Sequence, residues 1–315
     1  MSSDQPQSTI PESTRAGFVG VIGAPNAGKS TLVNALVGEK VSIVTPKVQT
    51  TRMPIRGIVT TDQAQIVFID TPGIFKPKKP LEKAMVQSAW DGGMEADVLL
   101  LLVDASLQGG KALDRLVQGI IDGLQRQGAK NKPVILVLNK IDKIKRENLL
   151  DLTVQYNEMY DFAATYMISA LKEDGLKQLL PDLMKMMPES PFLFPADDIS
   201  DLPQRLLAAE ITREKLFLNM HQELPYELTV ESEVWEMQDN GNLKIGQVIY
   251  VARDTHKKII LGKGGSAIKR VGQDSRTELE DLFQTPVYLD LYVKVRENWV
   301  RDPERYRFLG LDYTE

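Results

Sequence analysis

The stretch Gly23-Ala24-Pro25-Asn26-Ala27-Gly28-Lys29-Ser30 constrains this chain more than any other. It satisfies the spacing G-x-x-x-x-G-K-[ST] and stands between two patterned runs. Residues 17–22 before it form a short apolar segment, as in a buried strand, and residues 31–37 after it read as a helix that ends near Gly38. Two glycines let the backbone curl so that successive N–H groups point inward, and the helix N-terminus adds partial positive charge. Phosphate is the group such a turn accepts. Lys29 is expected to reach the β- and γ-phosphates, and the Ser30 hydroxyl to ligate Mg²⁺.

At 315 residues the chain exceeds one ordinary core. Residues 1–15, rich in Ser, Gln, Pro and Thr, have little to bury and are expected to be a disordered extension. From residue 16 to 187 strand-like runs (18–22, 55–60, 65–69, 98–103, 134–138, 165–168) are interleaved with helix-like ones (30–37, 113–127, 147–156, 176–186). That alternation predicts an α/β fold, a mainly parallel sheet with helices on both faces and a site beyond the carboxyl ends of its strands. Residues 188–203 carry four prolines and several acids and read as a linker. The pattern then changes. Leu207, Ile211 and Leu218 share a helical face; strands follow near 228–234, 247–252 and 287–295, with helical runs at 256–261 and 266–283. Residues 204–315 therefore read as a smaller α+β domain. The absence of cysteine excludes a disulfide framework and thiolate metal sites. A net charge of −5 gives no global case for nucleic acid, so any such site must be a local patch.

Three further motifs follow the phosphate loop in the order of a guanine-nucleotide switch. Asp70-Thr71-Pro72-Gly73 ends an apolar strand; Asp70 is expected to hold Mg²⁺ through water and the Gly73 N–H to meet the γ-phosphate. Asn139-Lys140-Ile141-Asp142 ends another. Guanine offers N1–H and N2–H₂ as adjacent donors, and the Asp142 carboxylate can accept both; adenine would turn a lone pair toward it. Asn139 either contacts the base edge or braces the loop, and the Lys140 stem can lie over the ring. Ser169-Ala170-Leu171 closes the last strand and suits a loop meeting the base through backbone N–H groups. Thr50 and Thr51 lie in the connection before the second strand, where either hydroxyl could reach Mg²⁺ while a γ-phosphate is present. Ile74 occupies the position where some GTPases carry a water-orienting glutamine, so no catalytic base can be named. A P-loop kinase would leave Asn139 and Asp142 without a role, and an inert scaffold would leave Lys29, Ser30 and Asp70 without one.

In the second domain, Gly262-Lys263-Gly264-Gly265 stands between an apolar segment (Ile259, Ile260, Leu261) and a helix, the G-x-x-G arrangement of a KH module that clamps about four nucleotides of a single strand. Residues 253–276 hold seven basic and two acidic side chains, a local charge of +5. Together with Gln49-Thr50-Thr51-Arg52, these motifs resemble those of the Era family of bacterial GTPases from about residue 16 onward. The resemblance implies a P-loop NTPase G domain followed by a type II KH domain. It implies GTP and GDP as ligands with Mg²⁺ as cofactor, and a KH domain working on the 3′ end of small-subunit rRNA during assembly of the ribosomal small subunit. Residues Gly23 through Thr31, Asp70 through Ile74 and Asn139 through Asp142 take the nucleotide roles. Thr51 becomes the Mg²⁺ threonine, and Lys29, Thr51, Asp70 and Gly73 serve hydrolysis. Pro-Asn in the loop of related GTPases makes Asn26 a K⁺ ligand. Ile259, Ile260, Gly262, Lys263, Gly264, Gly265, Lys269 and Arg270 become the RNA contacts. Members of the family are cytoplasmic, some of them peripheral at the inner membrane; a monomer binding RNA rather than DNA is expected.

Overall fold

The computed structural model describes residues 14–107, 111–220 and 224–297, together with 299, 302, 303, 306 and 310–312. The chain begins with β1 (Arg15–Gly23), α1 (Lys29–Val37), β2 (Ile55–Thr60), β3 (Ala64–Asp70), α2 (Pro80–Glu95), β4 (Val98–Asp104) and α3 (Lys111–Arg126). There follow β5 (Val134–Asn139), α4 (Arg146–Met159), β6 (Ala164–Met167) and α5 (Leu176–Met186). The six strands form one sheet in the order β2-β3-β1-β4-β5-β6, parallel except for β2. Successive residues of the apolar strands enter opposite cores. Leu99, Leu101 and Val103 pack with α3 and α4, whereas Val98, Leu100 and Leu102 pack with α1 and α5. A strand buried on both faces needs an unbroken apolar run, and β4 has one. Gly23, Asp70, Asp104 and Asn139 all end strands on the same sheet edge.

Helix α2 lies where periodicity alone marked no element. Its first residue is Pro80, and Glu82 accepts the backbone N–H of Lys78 and of Lys79. Gly93 lets this helix approach β1; a Cβ there would stand 3.0 Å from Ile22. Residues 1–13 of the expected extension lie outside the described residues. Arg15 does not belong to an extension: it opens β1, and the Thr14 hydroxyl donates to the Ser190 carbonyl at 2.8 Å.

Residues 188–203 run along the sheet instead of spanning open space. Leu193 and Phe194 donate to Gln65 Oε1, Ile58 donates to Ile199 O at 2.9 Å, and Arg56 pairs with Asp201 at 2.7 Å. The segment thereby covers the exposed edge of β2, which would otherwise present unpaired backbone groups.

The second domain comprises α6 (Gln204–Asn219), β7 (Leu228–Met237), β8 (Leu243–Val251), α7 (Asp254–Leu261), α8 (Ser266–Phe283) and β9 (Val287–Val295). Its sheet has the order β7-β8-β9, with β8 antiparallel to β7 and parallel to β9. Apolar residues of α6, α7 and α8 fill one face of it. Leu218, read as part of the buried face of α6, is 48% exposed; Leu216 and Phe217 are the buried residues of that turn. The C-terminal segment returns to the first domain, where Trp299, Tyr306 and Leu311 pack on Leu81, Ala84 and Met85 of α2.

Candidate functional site

One cavity of about 570 Å³ opens at the carboxyl edge of the large sheet. Its walls include Pro25, Asn26, Gly28, Lys29, Ser30 and Thr31, with Thr51 and Gly73 across from them and Asn139, Lys140, Asp142, Ser169, Ala170 and Leu171 at the far end. Five stretches that are scattered in sequence thus meet in one place. Gly23, Ala24, Ala27, Asp70, Thr71, Pro72, Ile74 and Ile141 are not in the wall. They stand behind it: Thr71 Oγ1 donates to Val21 O at 2.7 Å, Ile74 N donates to Gly23 O at 3.0 Å, and Ile141 packs on the core. Gly28 has φ 98°, and a Cβ there would meet Asn139 Nδ2 at 2.4 Å, so both the turn and the neighbour require glycine.

The Lys29 ammonium curls over the loop and donates to the carbonyls of Gly23 and Ala24 at 3.3 and 3.0 Å. Burial lowers its pKa to about 8, and the Asp70 carboxylate opposes that shift. Burial raises the pKa of Asp70, against hydrogen bonds from Ser30 and the Lys29 charge. Ser30 Oγ donates to Asp70 Oδ2 at 2.6 Å and lies 2.9 Å from Thr51 Oγ1, which is itself 3.4 Å from Asp70 Oδ2. Among the described residues Asp70 Oδ1 is buried with no hydrogen-bond partner. Two hydroxyls and one carboxylate with spare acceptor capacity fit a small hard cation that keeps most of its water and takes the rest of its ligands from phosphate. Of the two threonines it is Thr51 that reaches this cluster. The Thr50 hydroxyl turns away, 2.6 Å from Thr45 Oγ1 and bonded to Lys47 O.

At the other end, Asn139 is a brace. Its Nδ2 donates to Ala27 O at 2.8 Å and its Oδ1 accepts from Ala170 N at 3.0 Å, tying the phosphate loop to the loop after β6. Lys140 reaches back to Asn26 O at 2.7 Å and Asp104 Oδ2 at 2.6 Å, which stretches its stem along the cavity. Asp142 accepts from Ser169 Oγ at 2.7 Å through one carboxylate oxygen. Asp104 and Leu107 also line the cavity, although sequence reasoning passed over both. The placement of Asp104 at the carboxyl end of an apolar strand, like Asp70, was the available signal.

In the second domain the loop Gly262-Lys263-Gly264-Gly265 joins α7 to α8, and its three glycines have φ of 71°, 61° and 79°. Lys263 and Lys269 are exposed, and Ile259 is 55% exposed. Ile260 cannot be a contact residue: it is fully buried in the core beneath α7. Helical phase separates two other candidates. Gly272 faces Leu291 of β9, and Lys269 lies one turn before it on that side. Arg270 instead lines a groove between α6 and α8 with Lys215 and Asn219.

Residues 18–140 match the model of the 50S ribosome-binding GTPase family, and residues 223–300 match the KH domain. The chain is 52% identical over 317 residues to GTPase Era of Sinorhizobium medicae, covering all of both chains. It is 55% identical over 300 residues to GTPase Era of Agrobacterium fabrum, covering 95% of this chain and 92% of that one. Among solved structures, a point variant of Aquifex aeolicus Era bound to GDP·AlF4⁻ superposes with a TM-score of 0.87 at 42% identity, covering 94% of this chain and 99% of that one. Era in complex with MgGDPNP and nucleotides 1506–1542 of 16S ribosomal RNA matches with the same score, identity and coverage. With a parallel-sheet phosphate-loop domain and a KH domain matched along nearly its whole length, the chain belongs to the Era family of GTPases.

Proposed function

We propose that this protein binds GTP with Mg²⁺, hydrolyses it, and holds single-stranded small-subunit rRNA near its 3′ end through the KH loop during small-subunit assembly. The observation that carries the nucleotide half is the single cavity in which Lys29, Ser30, Thr51 and Gly73 stand at one end and Asp142 and Ser169 at the other. The rRNA half rests on the basic G-x-x-G loop and on the relative solved with 16S rRNA nucleotides. In this reading the loop amides and Lys29 take the β- and γ-phosphates, Gly73 N–H meets the γ-phosphate, and Asp142 selects guanine. Ser30 and Thr51 ligate Mg²⁺ directly and Asp70 holds it through water; the ion neutralises charge on the phosphate oxygens. Ile74 is buried and uses its N–H on Gly23, so it orients no water. Among the described residues no helix is long and apolar enough to cross a membrane, and work on ribosomal RNA implies the cytoplasm. Direct titrations of GTP against ATP, and of a small-subunit 3′-end RNA against a shuffled one, test both halves. ATP affinity equal to GTP affinity, or no preference between the RNAs, would count against the reading.

The Lys29 environment sets a pH dependence. Its pKa is about 8 in the free protein, and bound phosphate raises it, so nucleotide binding takes up a proton above that pH. GDP affinity is expected to be flat below pH 8 and to fall as pH rises beyond it, by up to about tenfold per unit. Calorimetry in buffers of different ionisation enthalpy checks this; zero proton uptake at pH 8.5 contradicts it.

A monovalent cation supplies a second dependence. With no glutamine at position 74, K⁺ beside the phosphates can furnish charge stabilisation. The Asn26 amide donates to Pro46 O at 3.0 Å, so turning its oxygen inward would free two oxygens for the ion. Hydrolysis is expected to run faster in KCl than in NaCl at matched ionic strength, and Asn26→Ala to remove the difference. Equal rates in the two salts for the parent protein would rule the cation out.

A further inference from the structure

The connection that carries Thr51 is tied to its own domain through Asn34, Asn26 and Glu82, and to the other domain by a second set of bonds. Val44 N donates to Glu214 Oε1 at 2.8 Å, and Lys47 Nζ donates to the carbonyls of Phe217 and Met220 at the end of α6. Closest to the site, the Arg213 guanidinium donates to the Thr50 carbonyl, which is one peptide bond from Thr51. On the other side of Thr51, Arg52 Nη1 donates to Leu228 O at 2.7 Å. Thr51 is therefore bracketed by two arginine–carbonyl bonds that both cross the domain boundary. Among the described residues its own hydroxyl meets Ser30 and Asp70, the two groups that face the cation site.

Arg213 is shaped for this task. Its side chain is 1% exposed and ion-paired with Glu210, which accepts from both Nε and Nη2. The Phe217 ring lies under the guanidinium, 5.1 Å from Cζ to centroid. A planar fork locked by a carboxylate and a ring has little freedom left, so the second hydrogen of Nη2 is aimed at the Thr50 carbonyl with little further entropy loss, while Nη1 is buried with no hydrogen-bond partner among the described residues. Such a bond is strong because it is charge-assisted and dry.

We propose that Arg213, held by Glu210 and Phe217, is a positioning residue for nucleotide hydrolysis: by bonding the Thr50 carbonyl it sets the Thr51 hydroxyl at the Mg²⁺ site. The RNA-binding domain thus completes the triphosphate site of the other domain. The inference rests on the reading of Thr51 as an Mg²⁺ ligand. GDP lacks the γ-phosphate whose charge would keep Thr51 engaged, so the diphosphate state does not depend on this bond. By reciprocity, triphosphate with Mg²⁺ must favour the docked arrangement of α6 by the same factor.

The test uses the full chain as parent, Thr51→Ala, Arg213→Ala and Arg213→Lys. GTP turnover is followed against Mg²⁺ concentration, and affinities for GDP and for a non-hydrolysable GTP analogue are titrated. Arg213→Ala is expected to raise the Mg²⁺ midpoint and weaken analogue binding by about tenfold each, with GDP affinity at the parental level. Arg213→Lys keeps the charge without the fork and is expected to recover part of the loss, leaving a shift of roughly threefold. A residue that merely glued the domains would not separate the triphosphate state from the diphosphate state. A folded Arg213→Ala protein with parental midpoint and analogue affinity overturns the proposal, and if that variant does not fold, a parental Mg²⁺ response in Arg213→Lys does so. A shift in Thr51→Ala with none in the Arg213 variants removes Arg213 alone; no shift in Thr51→Ala removes the reading of Thr51 and the proposal with it.

Discussion

Asp142→Asn is expected to lower GTP affinity by on the order of a hundredfold and to create binding of xanthosine triphosphate. Ser169 Oγ donates to Asp142 Oδ1 at 2.7 Å, so one oxygen is oriented and the other is left to meet the base. A carboxylate can accept from both ring donors of guanine. An amide that keeps the Ser169 bond through its oxygen turns its NH₂ toward the base, donor against donor. Leaving such groups unpaired in a closed site costs about 2–5 kcal/mol. Xanthine carries an oxygen at C2 and accepts that donor. The phosphate end is untouched, because Lys29, Ser30 and Asp70 form their contacts with one another and with the phosphate loop. Titration of both nucleotides decides the matter; parental GTP affinity would remove Asp142 from the base site.

The parts of this site that were legible beforehand are those whose chemistry is local. A phosphate loop, an aspartate at a strand end and Asn-Lys-Ile-Asp each carry their meaning in a few adjacent residues, and strand order alone brings them to one edge. What escaped reading depends on contacts between distant segments. The pattern of α2 is weakened by Gly92 and Gly93, which are poor helix formers yet fit the close approach to β1. Nothing in the sequence marks Arg52 and Arg213 as buried, since arginine is seldom so; both guanidiniums lie against the Phe217 ring, one of them reaching it from the other domain. Burial, with the nearby Arg213 charge, lowers the Arg52 pKa to about 9, which still leaves it cationic at neutral pH. The prolines of residues 188–203 did mark the end of regular structure, but the bonding of this segment to Gln65 and Ile58 depends on side chains far away in sequence. In α7, Ile259 and Ile260 are equally apolar neighbours. A helix of eight residues sends one outward and one inward, and composition does not say which.

Gly265→Asp is expected to abolish binding of single-stranded rRNA and to leave GTP binding unchanged. The two outer glycines of the loop differ in what a substitution would do. At Gly262 a Cβ would stand 2.7 Å from Ala267 Cβ and 2.9 Å from Ala267 N, so any side chain there distorts the start of α8 as well. At Gly265 the Cβ enters open space, although φ of 79° makes it strained. Gly265→Asp is therefore the cleaner probe, with Gly265→Ala as a control for the strain. The open space is where a sugar-phosphate backbone must pass to lie against the N-terminus of α8, and a carboxylate there opposes phosphate while excluding it by volume. Lys263→Ala removes one exposed cation and is expected to weaken binding modestly, reducing the salt slope by roughly 0.7. The nucleotide cavity is lined by residues 25–171 alone, so its affinity should hold in all three variants. Filter binding of RNA across salt concentrations, with circular dichroism to establish folding, separates the cases. If folded Gly265→Asp protein still binds the RNA as the parent does, the loop is not the clamp, and the contact surface must be sought on the groove between α6 and α8, where Arg270 lies.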